Sequence, residues 1–245
     1  MAVTTVITAN TILNRVAAEV GIAPVPDPYA SLDPAFIQMQ YLLNTAGEEL
    51  QQAYNWEFLV REHQITTAVE DTGVYPLPDD FGRMINQTGW ERSENVPLGG
   101  PLSAQDWTYL LGRDLASDTI YASFRIKEGV FNIFPNPPPG SLDINFEYVS
   151  INWATNGAST PEFQSEILTG SDTPLFDKTL ITRYVKLKYL QASEFESQDA
   201  KTDFNQTYSF LTSSDKGSEI LNQGRGGAGF PYISVFNVSD TNFGL

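Results

Sequence analysis

The sequence predicts an α+β fold: a helical bundle base formed by N- and C-terminal helices, an inserted antiparallel β region and an extended C-terminal tail. Three patterns point there. Apolar residues recur every three or four positions before residue 60 and again after residue 172, the period of a helix with one buried face. Between residues 61 and 151 the pattern shifts toward a period of two, broken by Gly, Pro, Asn and Asp, as in short strands joined by turns. Past residue 222 periodicity gives way to glycines and then to a run of apolar residues. The expected organisation is a helical core from 1–60 and 172–222, a β-rich insertion over 61–151 with a short helix near 103–112, a loop at 152–171 and a flexible docking tail at 223–245.

A first helix is expected from Asn10 as N-cap, with Ile12, Leu13, Val16, Ala17 and Val20 on one face and Gly21 as its stop. Pro24, Pro26 and Pro28 make the link stiff and non-helical. Asp33-Pro34 restarts a helix, with Asp at the N-cap and Pro at the first helical position. Phe36, Met39, Leu43, Ala46, Leu50 and Ala53 form its apolar stripe.

In the insertion, Asp71-Thr72-Gly73 reads as the turn of a hairpin between 65–69 and 74–77. Tyr75-Pro76-Leu77-Pro78 is an extended strand end, and Asp79-Asp80 turns the chain into Phe81. A strand is expected from Arg83 to Trp90, and Ser103 can cap a short helix through Trp107. Strands at 119–127 and 130–135 flank Glu128-Gly129, and a third at 141–150 alternates Leu142, Ile144, Phe146 and Tyr148, together an antiparallel meander with one buried face. Thr173-Pro174 is the expected start of the helical return. Phe176, Leu180, Tyr184 and Leu187 then belong to one helix, and Tyr208 and Leu211 to a second beyond a break at 193–199. These helices are expected to pack on the N-terminal pair. Gly224, Gly226, Gly227 and Gly229 form a hinge before the apolar Phe230, Tyr232, Val235, Phe236 and Phe243.

With no cysteine, the sequence has neither disulfides nor thiolate metal sites, and the single histidine, His63, excludes histidine-cluster centres. The formal charge of −16, from 30 acids against 14 bases, makes a poor general binder of duplex DNA, whose affinity comes from neutralised phosphates. The first twenty residues lack a basic leader, and no stretch of 18 uninterrupted apolar residues occurs. Synthesis in a cytoplasm and no membrane span are therefore expected.

Chemical motifs are weak. Gly224-x-Gly226-x-x-Gly229 has the letters of a dinucleotide fingerprint, but a helix precedes it and Phe230-Pro231 follows, so no helix N-terminus faces a pyrophosphate. Glu48-Glu49 and Asp79-Asp80 are neighbours in sequence, whereas glycosidase carboxylates face each other from separate elements. Catalytic, cofactor and metal sites are expected to be absent. Lys178, Arg183, Lys186 and Lys188 gather four bases within eleven residues, with Arg183 and Lys186 on neighbouring helical positions suited to a subunit contact.

The stretch 75–111 carries the most specific pattern. Leu77-Pro78, Asp80-Phe81-x-Arg83, Ile85-Asn86, Trp90-Glu91-Arg92, Pro97-Leu98, Gly100-Pro101-Leu102-Ser103 and Trp107 follow in an order that resembles the head-to-tail adaptor (connector, tail tubular or gateway) proteins of short-tailed bacteriophages. The resemblance implies a structural virion protein at the head–tail junction, assembled in the host cytoplasm, and no enzyme. It implies a homo-oligomeric ring, typically a dodecamer, bound to the portal protein above and to a tail nozzle or tail tube protein below. DNA would pass the lumen without sequence-specific binding, and acidic walls would keep its phosphates from sticking.

Within that reading Tyr75, Leu77, Phe81, Trp90 and Trp107 are structural anchors. Phe230, Tyr232, Val235, Phe236 and Phe243 dock on the portal or a neighbouring subunit. The alternative is a tail-associated glycan hydrolase or a carbohydrate-binding β module, in which Trp90, Trp107 and Trp153 would stack on sugars.

Overall fold

The computed structural model describes residues 7–68, 71–93, 96–112, 123–135 and 142–215. It has the expected α+β class, with five helices and antiparallel sheets among the described residues.

Helix α1 spans Ala9–Glu19 and α2 spans Pro34–Ala53. Asp33 caps α2 as expected, its carboxylate accepting from the Ala35 amide at 2.9 Å. Phe36, Met39, Leu43, Ala46 and Leu50 are fully buried, each such side chain stabilising by roughly 1.5–3 kcal/mol if large. Ala53, by contrast, is exposed. The residue at the N-cap of α1 is Thr8, not Asn10. Asn10 instead donates to the Asp27 carboxylate at 3.1 Å, and Asn14 bonds both backbone groups of Val25. Both amides thus bind the proline-rich link to the helix.

After a 3-10 turn at Glu57–Leu59 comes β1 (Val60–Thr66), followed by β2 (Val74–Pro76), β3 (Phe81–Met84), β4 (Trp90–Glu91) and β5 (Val96–Pro97). Helix α3 (Ala104–Gly112) precedes β6 (Ser123–Lys127), β7 (Val130–Phe134) and β8 (Asp143–Ser150). Ser103 caps α3, its hydroxyl accepting from the Asp106 amide at 3.1 Å. The Glu128-Gly129 turn joins β6 to β7 with both residues at positive φ (56° and 75°), the geometry that matches strand twist in a two-residue hairpin.

Two strand pairings differ from expectation. β1 and β2 do not form a hairpin: β1 pairs along its whole length with β8, and β2 pairs with β7. Asp71 does make a turn, accepting from the Ala68 amide and the Tyr75 hydroxyl, but the flanking strands diverge into different sheets. Nor does the meander continue from β7 to β8, since β8 is the spine of the other sheet, between β1 on one side and β3 and β4 on the other. The expected strand from Arg83 to Trp90 is split into β3 and β4 by a turn at Gln87, whose φ is 65°.

The two sheets meet in a hydrophobic cluster of Ile65, Phe124, Phe131, Ile133, Leu142, Ile144, Phe146 and Tyr148. Phe131 stacks between Phe124 and Phe146, with centroids at 4.8 and 5.1 Å. The alternation Leu142, Ile144, Phe146, Tyr148 is buried as expected, while the adjacent Val149 faces the helical cluster.

Residues 154–155 (β9), 163–164 (β10) and 173–174 (β11) form a small third sheet. Thr173-Pro174 is therefore a strand rather than a helix start. Helix α4 (Lys178–Ala192) begins at Asp177, whose carboxylate caps the amides of Thr179 and Leu180. After a corner comes α5 (Gln198–Asp215). As expected, the C-terminal helices pack on the N-terminal pair, α4 touching α1, α2 and α5.

Trp153 fastens the 152–172 segment to this base, and Asp172 braces the segment from within while its backbone carbonyl accepts from the Ala9 amide at 2.8 Å. Trp153 is buried flat against α2 at Gly47, where a Cβ would lie 2.3 Å from the indole ring. Asp172, also buried, accepts from the amides of Leu168, Thr169 and Gly157 and from the Gln164 and Thr169 side chains. Burial works to raise its carboxyl pKa, but these hydrogen bonds outweigh it and hold the group below the usual range.

Candidate assembly surface

Asp80, Phe81, Arg83 and Glu91 of the 75–111 pattern face inward or brace joints, while Asn86, Arg92, Pro97 and Pro101 are exposed. Asp80 accepts from the hydroxyls of Tyr148 (2.8 Å) and Ser150 (2.7 Å), fixing the turn into β3. Burial and then this carboxylate push the Tyr148 hydroxyl up to about 12. Phe81 lies against Phe146 and Tyr148. Arg83 reaches back to the end of α2, donating to the carbonyls of Gln51 (3.1 Å) and Tyr54 (2.8 Å) and to the Asn55 side chain (3.0 Å). Trp56 donates to the Leu50 carbonyl at 2.8 Å and the Tyr208 hydroxyl to that of Ala53 at 3.4 Å, so side chains satisfy much of the last turn of α2. Gln51 completes the joint by donating to the Ser150 carbonyl at 3.1 Å.

Glu91 is buried and accepts from the amides of Ser93 and Asp143. Gly100 packs so closely under β6 that a Cβ would meet the Phe124 carbonyl at 2.6 Å. Tyr75 and Leu77 are half-buried beside the β cluster. Trp90 and Trp107 are also half-buried, Trp90 in the β4 ladder opposite Asn145 and Pro97, Trp107 edge-on to Phe134 at 6.5 Å. Trp153, by contrast, is sealed in the helical cluster.

The other candidates are placed as follows. His63 sits half-buried in β1 with its ring against Phe146, and burial lowers its pKa more than Asp80 raises it. Glu48 is exposed, while Glu49 receives hydrogen bonds from Lys188 and Tyr184 on α4. Burial would raise the Glu49 carboxyl, but those two donors hold it below the usual range. Lys186 pairs with Glu19 of α1 at 2.9 Å, and Arg183 donates to the Asp203 carbonyl and the Thr207 hydroxyl of α5. Both are thus engaged within the bundle. Phe230, Tyr232, Val235, Phe236 and Phe243 lie outside the described residues.

Among the described residues no group of three or more His, Asp or Glu side chains is arranged to hold a metal ion, and no helix is long and apolar enough to cross a membrane.

What remains outward is apolar in places. On α2, Ile37 and Tyr41 stand one turn apart, with Leu32 just before the helix, and Tyr41 is 73% exposed. Leu168 extends this face, since the neighbouring Ile167 is bonded through both backbone groups to Asn44, the next position on it. Elsewhere, Phe195 is 60% exposed at the corner between α4 and α5, and Phe210 is exposed farther along α5. Sequence reading missed the Trp153–Gly47 and Asp172 fastenings. A glycine inside a strong helical stripe and a tryptophan in a polar stretch were the available signals.

No curated protein matches the chain. A family model described as SU10 adaptor protein matches residues 7–220, most of its length. The match spans the helical base, the β unit and the connecting segment together, and the chain belongs to the SU10 adaptor protein family, as a structural adaptor of a bacteriophage particle.

Proposed function

We propose that this chain is the repeating subunit of a ring, a dodecamer, that joins the portal to the tail and continues the DNA channel. The observation that carries the reading is the set of outward apolar side chains at α2, Leu32, Ile37 and Tyr41, with Leu168 on the segment that Ile167 ties to Asn44 of the same helix. Outward apolar side chains gathered on one element suit a surface covered by another protein. A closed ring needs two different faces per subunit, one meeting the other in the next copy. The exposed Phe195, at the corner between α4 and α5, offers an apolar group away from α2 for the second face.

The strongly acidic chain suits a conduit wall that DNA passes without sticking. The tail beyond residue 222 serves in this reading as the docking segment for the portal or the adjacent subunit, through Phe230, Tyr232, Val235, Phe236 and Phe243. Electron microscopy of phage particles containing the full-length chain tests the proposal. The expected result is a closed ring of copies between portal and tail with a mostly acidic lumen. A single copy per particle, or a continuous basic lumen, overturns it.

A further inference from the structure

A cavity of about 260 Å³ opens where α1, α4 and α5 meet, walled by Arg15 and Glu19 from α1 and by Lys178, Thr182, Arg183 and Lys186 from α4. Thr179 of α4 and Ala200 and Asp203 of α5 complete the lining. Four cations therefore face two carboxylates, in a chain where acids outnumber bases 30 to 14. Lys186 is held by Glu19 and Arg183 by α5, whereas no ion pair engages Arg15 or Lys178 among the described residues. The pocket thus has a net positive charge and two cations to offer.

Two uncommitted cations flanked by carboxylates suit one or two incoming carboxylates better than a nucleic-acid backbone, which needs a longer track of bases. The chain displays such a group at the α4–α5 corner. Glu194, Phe195 and Glu196 are all exposed. The corner is held in shape by the Phe195 amide donating to the Leu190 carbonyl (2.9 Å) and by the Glu196 carboxylate accepting from the Gln198 amide (3.0 Å). Glu194 holds a left-handed φ of 56°, the position just past the C-cap of α4, with its amide donating to the Gln191 carbonyl at 3.2 Å, so a Schellman stop fixes the corner.

We propose that the Glu194-Phe195-Glu196 corner of one copy seats in the Arg15/Lys178 pocket of the next, with the glutamates on the free cations and Phe195 against the helix stems. This rests on the ring reading above and names the segment through which successive copies join. Corner and pocket differ, so the contact is head-to-tail, the kind that propagates around a ring. The two lie at different heights along α4. Arg183 of α4 bonds Asp203 and Thr207 of α5, so α5 runs back along α4 and Ser197 lies roughly twelve helical residues, about 18 Å at 1.5 Å per residue, from the level of Thr179; no disulfide can join them within one copy.

The chain has no cysteine, so Thr179→Cys combined with Ser197→Cys leaves every charge in place and reports only this contact. Phage particles assembled with the double variant are oxidised and their proteins separated without reductant. A ladder of covalent multimers of this chain, absent from either single variant, is the expected result. Rings that form but yield no ladder overturn this contact and leave the ring reading standing. Wild-type particles without a ring overturn that reading and this one with it. As a second arm, Arg15→Glu with Lys178→Glu is expected to abolish incorporation, and adding Glu194→Lys with Glu196→Lys to restore it. Normal incorporation of the first pair alone overturns the contact. So does an intact ring whose salt-sensitive DNA binding disappears, which assigns the pocket to phosphates.

Discussion

The helical base closes its core with side chains at three- and four-residue spacing on helices packed around α4, whereas the β unit closes its core around three stacked phenylalanines from β6, β7 and β8. In the base, each helix brings a continuous stripe that any neighbouring helix can cover. In the β unit, no strand has a useful face until a distant strand pairs with it: β1 at residues 60–66 waits for β8 at 143–150. The two units are joined by few but specific contacts, chiefly Arg83 and Gln51, and by Val149, which enters the helical cluster from the strand whose Tyr148 belongs to the other. The base is built from local periodicity, the β unit from long-range register, and the joint from polar groups placed at a helix end.

That contrast can be broken most forcefully at Trp153. Replacing it with Ala empties the space over Gly47 and is expected to cost about 3–5 kcal/mol in urea unfolding of the isolated chain. A loss below about 1 kcal/mol would mean that the base does not depend on this wedge. Arg83→Ala is next, at about 2–3 kcal/mol, because it leaves the Gln51 and Tyr54 carbonyls without their charged donor. Arg83→Lys should recover little, since an ammonium cannot span both carbonyls and Asn55. Hydrogen exchange should accelerate in the last turn of α2 for both variants, and unchanged exchange would place the joint elsewhere.

Asp172→Asn is expected to cost about 1–2 kcal/mol at neutral pH, through the loss of charge-assisted bonds in the connecting segment. The folded pKa of Asp172 is held below that of an ordinary aspartate, so its contribution is fully present above the ordinary value and is lost as the pH falls through the folded pKa. The stability gap between wild type and variant should therefore narrow in acid. A gap independent of pH would show that the carboxylate charge is not what holds the segment. The smallest effect is expected at Trp107→Ala, about 1 kcal/mol in the isolated chain, because this ring is half-exposed and meets Phe134 only edge-on. A loss as large as that of Trp153→Ala would erase the distinction between sealed and half-covered tryptophans.

The same contrast accounts for what could be read from the amino acids. Asp33-Pro34 and the stripe from Phe36 to Leu50 carry α2 locally, and Ser103 and Glu128-Gly129 carry a cap and a turn in single residues. The hairpin expected around Asp71-Thr72-Gly73 failed because a turn fixes only a change of direction, while the partner of each strand is decided by the distant apolar surface it can cover. Thr173-Pro174 has the letters of a helix start, yet β9 captures it as a strand and Asp177 supplies the cap instead. At the candidate surface, Arg183 and Lys186 were visible as a basic cluster, but Arg15 and Glu19, some 170 residues away in sequence, become part of it only once α1 lies on α4. The Asn10 side chain was legible as a helix-end residue and serves there, though by tying down the proline link and not as the cap.

Arg83 also determines how the molecule carries load. Of the carbonyls it grips, that of Gln51 belongs to the last turn of α2 and that of Tyr54 to the extended residue just after it. A pull on the β unit is therefore passed to the C-terminal end of a 20-residue helix. Without Arg83, the Gln51 bond to Ser150 and the covalent link from α2 into β1 would be left to carry it.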